Sequence, residues 1–187
     1  DLNICIDNNP FQPGAYYTRG YVYRQLNEYQ KAEQDFNNAL LYDPDNKTYR
    51  LLRADAKANQ QQYTEALKDI DYLLKREPKD PNLLFEKGVI SLNNQDTTTA
   101  IQCIQLSATY DSQNPANWSA LGVIYLQMGQ EKEAMNYLTQ SINLGSKWAG
   151  DYINRGILYY KWHNYKAALS DYNQAIMLEP QNSQCYY

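Results

Sequence analysis

Apolar residues recur along this chain at the three-to-four-residue spacing that places side chains on one face of an α-helix. The spacing is broken at Gly129-Gln130, a turn signal, so it predicts one helix over 116–128 and another over 132–144. The same two-helix layout recurs before and after this stretch. Alternation of apolar and polar residues stays short and lies within the helical spacing. The pattern therefore predicts an all-α chain of helical hairpins.

Small residues recur in this pattern with a 34-residue period. In the second helix of each hairpin they are Ala32, Ala66, Ala100, Ala134 and Ala168. In the first helix they are Gly20, Ala54, Gly88, Gly122 and Gly156. Small residues in both helices let the two backbones approach closely. A single hairpin cannot bury both of its faces, so we expect neighbouring hairpins to stack into a solenoid.

The period divides the chain into five complete repeats with a partial one at each end. The predicted repeats are 13–46, 47–80, 81–114, 115–148 and 149–182. Residues 1–12 are predicted to be the end of a preceding second helix, and residues 183–187 the start of a further repeat. Solenoid ends normally carry polar caps, and neither end of this sequence supplies one. We therefore expect a piece of a longer array, or missing flanks.

Charged residues predict an ion pair between the two helices of some repeats. An arginine precedes the small residue of the first helix, and an aspartate follows it at a constant separation in the second helix. The three such pairs are Arg19 with Asp35, Arg53 with Asp69, and Arg155 with Asp171. In the fourth repeat the two positions hold Leu121 and Tyr137, so both charges are replaced together. A pair that recurs in this way indicates a structural role for these carboxylates rather than catalysis.

The residues of the fourth repeat resemble the tetratricopeptide repeat family, whose motif combines Trp118, Leu121, Gly122 and Tyr125 with Ala134. The resemblance implies a right-handed superhelical solenoid of antiparallel helix pairs. It also implies a non-catalytic protein–protein interaction scaffold, which binds a peptide or a partner domain on its concave face. Two other interpretations stay open: a targeting or regulatory segment of a larger multidomain enzyme, and an array that self-associates through its uncapped ends.

In the family that this chain resembles, the first helix of each repeat lines the concave face, where ligands usually bind. Transferred by position, the peptide-binding residues would be Tyr17, Tyr21, Arg24, Leu51, Asp55, Phe85, Val89, Asn93, Val123, Gln127, Asn154, Ile157 and Lys161. The surface so defined is mostly apolar, with a few charges that include Glu86. It suits a partner segment with hydrophobic side chains, either extended or as an amphipathic helix.

The composition excludes several other functions. Seventeen Lys and Arg against 21 Asp and Glu give a net charge of −4, which disfavours a nucleic-acid partner. No apolar run is long enough for membrane insertion. The sequence has no cofactor-binding, metal-binding or catalytic motif, and it contains one histidine, His163. We therefore expect a soluble protein. Its three cysteines are far apart, which makes a disulfide framework unexpected and fits the reducing cytoplasm somewhat better. The periplasm and secretion stay open.

Trp148 is an unusual residue for its place, since a polar residue is expected between two repeats. Two interpretations are equally open. The indole could fill the gap left by the missing proline at Ser146, or it could be an exposed aromatic anchor for a partner.

Overall fold

The computed structural model describes residues 2–181, and within that range it contains eleven α-helices and no strand. The predicted all-α class is therefore confirmed. The predicted further repeat at 183–187 lies outside the described residues. The helices are α1 Leu2–Asn8, α2 Pro13–Gln25, α3 Tyr29–Tyr42, α4 Lys47–Asn59, α5 Tyr63–Arg76, α6 Pro81–Asn93, α7 Thr97–Tyr110, α8 Pro115–Gln127, α9 Glu131–Asn143, α10 Ala149–Lys161 and α11 Tyr165–Leu178.

The chain divides into two compact units, with the boundary between Ala100 and Ile101 inside α7. In the first, which we call unit 1, consecutive helices from α1 to α6 pack against one another. In the second, unit 2, the same holds from α8 to α11. Each unit is therefore a stack in which a helix packs mainly against its neighbours in sequence, as in a solenoid.

Helix starts and turns follow the local sequence. Asn46, Asp80 and Asn114 cap α4, α6 and α8 through their side chains, each accepting a hydrogen bond from a backbone N–H of the first turn. The turns inside the helix pairs contain a residue with positive φ, and these residues follow the same period as the small ones. They are Asn27, Gln61, Gln95, Gly129 and His163. Four of the five are not glycine, so these turns hold left-handed backbone that L residues adopt at a cost.

The small residues lie where two helices of a pair come closest. A Cβ added to Gly20 would approach Phe36 Cε1 to 2.9 Å, and one added to Gly122 would approach Leu138 Cγ to 2.8 Å. Such distances are below the contacts that real side chains make, so an alanine at either position would force the facing Phe36 or Leu138 side chain to shift. Ala32 and Ala134, on the opposing helices, have no exposed surface. The period of small side chains is therefore explained by close helix packing.

The three predicted ion pairs are present. Nε of Arg19 donates to Asp35 Oδ2 at 2.8 Å, and Nε of Arg155 donates to Asp171 Oδ2 at the same distance. Arg53 binds Asp69 with two nitrogens. All three aspartates are buried.

The pair α8/α9 has aromatic contacts where α2/α3, α4/α5 and α10/α11 have the ion pair. Tyr137 packs against the Trp118 ring at a centroid distance of 6.1 Å and against the Tyr125 ring at 5.2 Å. In α6 the position of the arginine holds Lys87, and the position of the aspartate in α7 holds Cys103. Lys87 forms an ion pair with Asp71 of α5 at 2.7 Å instead.

Candidate functional site

A cavity of about 310 Å³ opens in unit 1, and its lining includes residues of α2, α4, α5 and α6. Its apolar walls include Leu51 and Leu52 from α4 and Leu83 and Ile90 from α6. This volume is at the lower end of the range for ligand-binding pockets. The cavity can therefore hold a side chain and the backbone next to it.

A second cavity of about 150 Å³ adjoins the first between α4 and α6. The two share Asp55, Glu86 and Ile90, while Val89 and Asn93 line only the second. We call these two adjoining cavities the unit 1 groove. Asp55 and Glu86 stand where its two parts meet.

At one end of the unit 1 groove, positive and negative charges are matched within the protein. Lys47 Nζ donates to Glu77 Oε2 at 2.5 Å and to Asp80 Oδ2 at 2.6 Å. Asp80 also caps α6 by accepting from the backbone N–H groups of Asn82 and Leu83. The hydrogen bonds to Asp80 and Glu77 raise the pKa of Lys47, so it stays charged. These groups hold α4 and the start of α6 together.

A second pair crosses from α2 to α4. Arg24 Nε donates to Asp55 Oδ2, and this hydrogen bond raises the pKa of Arg24. Asn59, one turn further along α4, donates from its amide to the Asp55 carbonyl at 2.9 Å. The Asp55 charge is thus already compensated by Arg24.

Glu86 differs from the other charged groups of the unit 1 groove. No residue in the described part of the chain forms an ion pair or a hydrogen bond with its carboxylate. Its side chain is exposed to solvent and lines both cavities of the groove. Desolvation raises the pKa of Glu86, the Asp55 carboxylate raises it further, and Arg24 offsets part of the increase. The groove therefore carries one negative charge that the protein does not compensate.

The structure brings some of the predicted peptide-binding residues together and leaves others elsewhere. Those that line the unit 1 groove are Arg24, Leu51, Asp55, Val89 and Asn93. Tyr17 does not line it, because its ring packs against those of Tyr21 and Tyr49 at 6.3 and 5.2 Å. Phe85 is half-buried beside it.

The predicted residues of unit 2 lie on α8 and α10. Val123 and Asn154 are half-buried, whereas Gln127 and Ile157 are exposed. Lys161 forms an ion pair with Glu131 at the start of α9. Ligand contact at all these positions stays a prediction.

The binding positions transferred from the family do not include Lys47 or Asp80, although both line the unit 1 groove. Both lie at the very start of a first helix, one turn before the positions that the resemblance selects. The Asp80-Pro81 sequence is a helix-start signal, and it is the one feature of the sequence that points to Asp80.

Trp148 does not fill the gap at Ser146. About half of its surface, 48%, is exposed. The gap is closed by Ser146 itself, whose side chain is buried and donates to Asp151 Oδ2 at 2.6 Å. The interpretation of Trp148 as a plug is therefore wrong, and its exposure leaves it available to a partner.

Other kinds of site have little support in residues 2–181. In that part of the chain, no group of three or more His, Cys, Asp or Glu side chains is placed to hold a metal ion. None of the helices described is long and apolar enough to cross a membrane. His163 lies exposed in a turn, beside the Tyr165 hydroxyl at 2.8 Å from its Nδ1.

Family models described as tetratricopeptide repeat match most of the sequence. One matches residues 13–46 and 151–182, a second matches 51–115, and a third matches 116–144. No curated protein matches the chain significantly.

Several solved structures share the fold. PilW, a type IV pilus biogenesis factor, is 18% identical with a TM-score of 0.82, over 99% of this chain and 86% of PilW. YrrB, a protein with an unusual peptide-binding site, is 17% identical with a TM-score of 0.65, over 99% and 95%. TTC0263 from Thermus thermophilus is 16% identical with a TM-score of 0.71, over 93% and 95%. Identities this low show a likeness of fold.

Proposed function

Because the chain belongs to the tetratricopeptide repeat family, we propose that it is a non-catalytic protein–protein interaction scaffold whose unit 1 groove binds a peptide segment of a partner. The observation that carries the proposal is the groove itself, whose lining combines apolar walls with a few charged groups. A few polar groups around an apolar concavity are what an oriented ligand needs.

The groove overlaps part of the surface on which the resemblance predicts ligand contacts. Five of the residues selected by position line it, although the selection used no structure. Its walls come from helices rather than from loops, so the site is held rigid before a ligand arrives. YrrB shares the fold and has a peptide-binding site, which makes a peptide the natural class of ligand to test here.

The test fills the groove and measures peptide binding. Asn59 and Asn93 are exposed side chains that line its smaller part, and the Asn59→Trp/Asn93→Trp variant occupies that space. Gln34→Trp/Thr64→Trp is the matched control, since both residues are exposed on second helices of unit 1. Peptides selected from a random twelve-residue display library on the unmodified chain should bind the control equally and the groove variant at least about tenfold more weakly. Equal binding by all three proteins would refute the proposal.

A second candidate function, self-association, is favoured by an apolar face of unit 2. Tyr160, Tyr165 and Leu169 are 61%, 55% and 61% exposed on α10 and α11. At the positions equivalent to Tyr160 and Leu169 in the preceding repeat, Leu126 and Met135 pack in one cluster that includes Leu158 of α10. Leu158 belongs to the next repeat, so the equivalent exposed face is the one that the first helix of a following repeat would cover. We infer that a helix of a second copy of the chain also fits there. A Tyr160→Lys/Leu169→Lys variant should lower any concentration-dependent increase of mass in sedimentation, and an unchanged mass profile would rule this face out.

A further inference from the structure

The charges of the unit 1 groove do not balance. Two cations, Arg24 and Lys47, face three carboxylates, Asp55, Asp80 and Glu86. Lys47 binds Asp80, and Arg24 binds Asp55. The Glu86 carboxylate is left as a hydrogen-bond acceptor without a donor in the described chain.

The surroundings of Glu86 make an incoming cation favourable. Leu83 and Ile90 lie one turn before and after it on α6 and line the same cavity. Desolvation by the groove and the facing Asp55 of α4 raise the pKa of Glu86, and Arg24 of α2 lowers it only in part. The Glu86 carboxylate is also exposed to solvent, so a cation brought by a ligand can reach it and form a charge-assisted hydrogen bond.

The shape of the groove agrees with a long side chain. Asp55 and Glu86 stand at the junction of the two cavities, and Leu51 and Leu52 line the larger one. Lysine and arginine combine an apolar stem, which packs along such walls, with a charged end that reaches a carboxylate. An acidic side chain would meet Asp55 and Glu86 with like charge.

We propose that the unit 1 groove recognises its partner through a lysine or arginine side chain, whose cationic end binds Glu86 beside Asp55 while its stem and neighbouring apolar residues contact the leucines of α4 and α6. The inference rests on the proposed function and specifies the class of segment that the groove binds. Glu86 is then the residue that sets specificity, and the apolar walls supply contact area.

The test uses three pools of capped nine-residue peptides with the same randomised apolar and small flanking residues. The central residue is lysine, norleucine or glutamate. Norleucine keeps the apolar stem and removes the charge. Measured by fluorescence anisotropy on the unmodified chain, the lysine pool should bind about tenfold more tightly than the norleucine pool, and the glutamate pool most weakly.

Two variants assign the effect to one carboxylate. Glu86→Gln should weaken the lysine pool about tenfold and leave the norleucine pool unchanged. Glu65→Gln is the matched control, because Glu65 is an exposed carboxylate on α5 that pairs with Lys68 and does not line the groove. It should leave both pools unchanged.

The outcomes separate the inference from the function beneath it. If the three pools bind the unmodified chain with equal affinity but bind Asn59→Trp/Asn93→Trp more weakly, the proposed charge preference is wrong and the proposed peptide groove is supported. If the lysine preference survives in Glu86→Gln, the assignment to Glu86 is wrong. If no pool responds to the groove-filling variant, both the inference and the proposed function fail.

Discussion

Asp69 in unit 1 and Asp151 in unit 2 are both almost completely buried, and the two units compensate the charge in different ways. Asp69 is 3% exposed and is surrounded by cations. Its hydrogen-bond donors are Arg50 at 3.3 Å, Arg53 at 2.9 Å and Lys57 at 2.9 Å. Burial alone would raise the pKa of Asp69, but the hydrogen bonds from Arg53 and Lys57 outweigh it, and the pKa is lowered.

Asp151 is 2% exposed and is held by hydroxyl groups. The donors are Ser119 Oγ at 2.5 Å, Ser141 Oγ at 2.7 Å and Ser146 Oγ at 2.6 Å. The equivalent position two repeats earlier, in unit 1, holds the buried Leu83. The same place in the repeat is thus apolar in one unit and polar in the other.

The comparison shows what is unusual about Glu86. A buried carboxylate is stable when it has hydrogen-bond donors, whether these are cations or hydroxyl groups. The chain meets that requirement at Asp69 and at Asp151. Glu86 has neither kind of donor within the described chain, and its exposure to solvent lets the charge persist in the groove where peptide binding is proposed. A cation of a partner can therefore replace water at Glu86, as we propose above.

The largest expected effect is the loss of the Asp69 carboxylate. Asp69→Ala leaves three cations facing a buried cavity and should lower the free energy of unfolding by about 3–5 kcal/mol. Asp71→Ala is the control, because Asp71 is 47% exposed and binds only Lys87, so it should cost less than about 1 kcal/mol. Urea unfolding followed by circular dichroism measures both. If the two variants unfold at the same urea midpoint, the ion pairs of Asp69 do not stabilise the fold.

Replacing both aspartates by asparagine should give a smaller effect that tests the contrast directly. Asp69→Asn loses the charge that three cations require and should cost about 2–3 kcal/mol. Asp151→Asn should cost about 1 kcal/mol, because serine hydroxyls can rotate to donate or accept and can adapt to an amide. If Asp151→Asn is the more damaging of the two in urea unfolding, the hydroxyl cage depends on charge and the contrast is wrong.

Glu86→Gln is expected to stabilise the fold slightly, whereas the aspartate replacements destabilise it. The raised pKa of Glu86 means that the fold disfavours its ionised form. The destabilisation is therefore present at neutral pH and disappears as the pH falls through the raised pKa. The variant should melt at the same temperature as the unmodified chain or slightly above it at pH 7, with the difference shrinking toward pH 4. A lower melting temperature at pH 7 would reveal a stabilising contact within the chain and weaken the inference.

The smallest expected effect concerns the left-handed turns. Gln61 has φ of 61°, and Gly129 occupies the equivalent turn of unit 2. Gln61→Gly should stabilise by about 0.5 kcal/mol, because the relief of left-handed strain slightly exceeds the added entropy of glycine. Gln34 is exposed inside α3, where glycine is a poor helix former, so Gln34→Gly should destabilise by a similar amount. If thermal melting shows that both variants raise the melting temperature, or that both lower it, this prediction is wrong.

The sequence was sufficient for the helices and for the pairing of Arg19, Arg53 and Arg155 with aspartates, because both follow from spacing within a repeating period. It did not predict the serine cage of Asp151, since its donors come from three separate segments. The turn at Gln61 was also not predicted, because glutamine carries no signal for left-handed backbone.

The candidate site was predicted in part for a related reason. Positions such as Leu51 and Val89 face the groove because of helical geometry, which a sequence reveals. The lack of a partner for Glu86 depends on which neighbouring side chains do not reach it, and only the three-dimensional structure shows that.

The most direct test of the central claim is to reverse the charge at Glu86. In Glu86→Lys, the peptide pool with central glutamate should bind more tightly than the pool with central lysine, the opposite of the order for the unmodified chain. If the variant remains folded by circular dichroism and still prefers lysine, Glu86 does not read the charge of the partner.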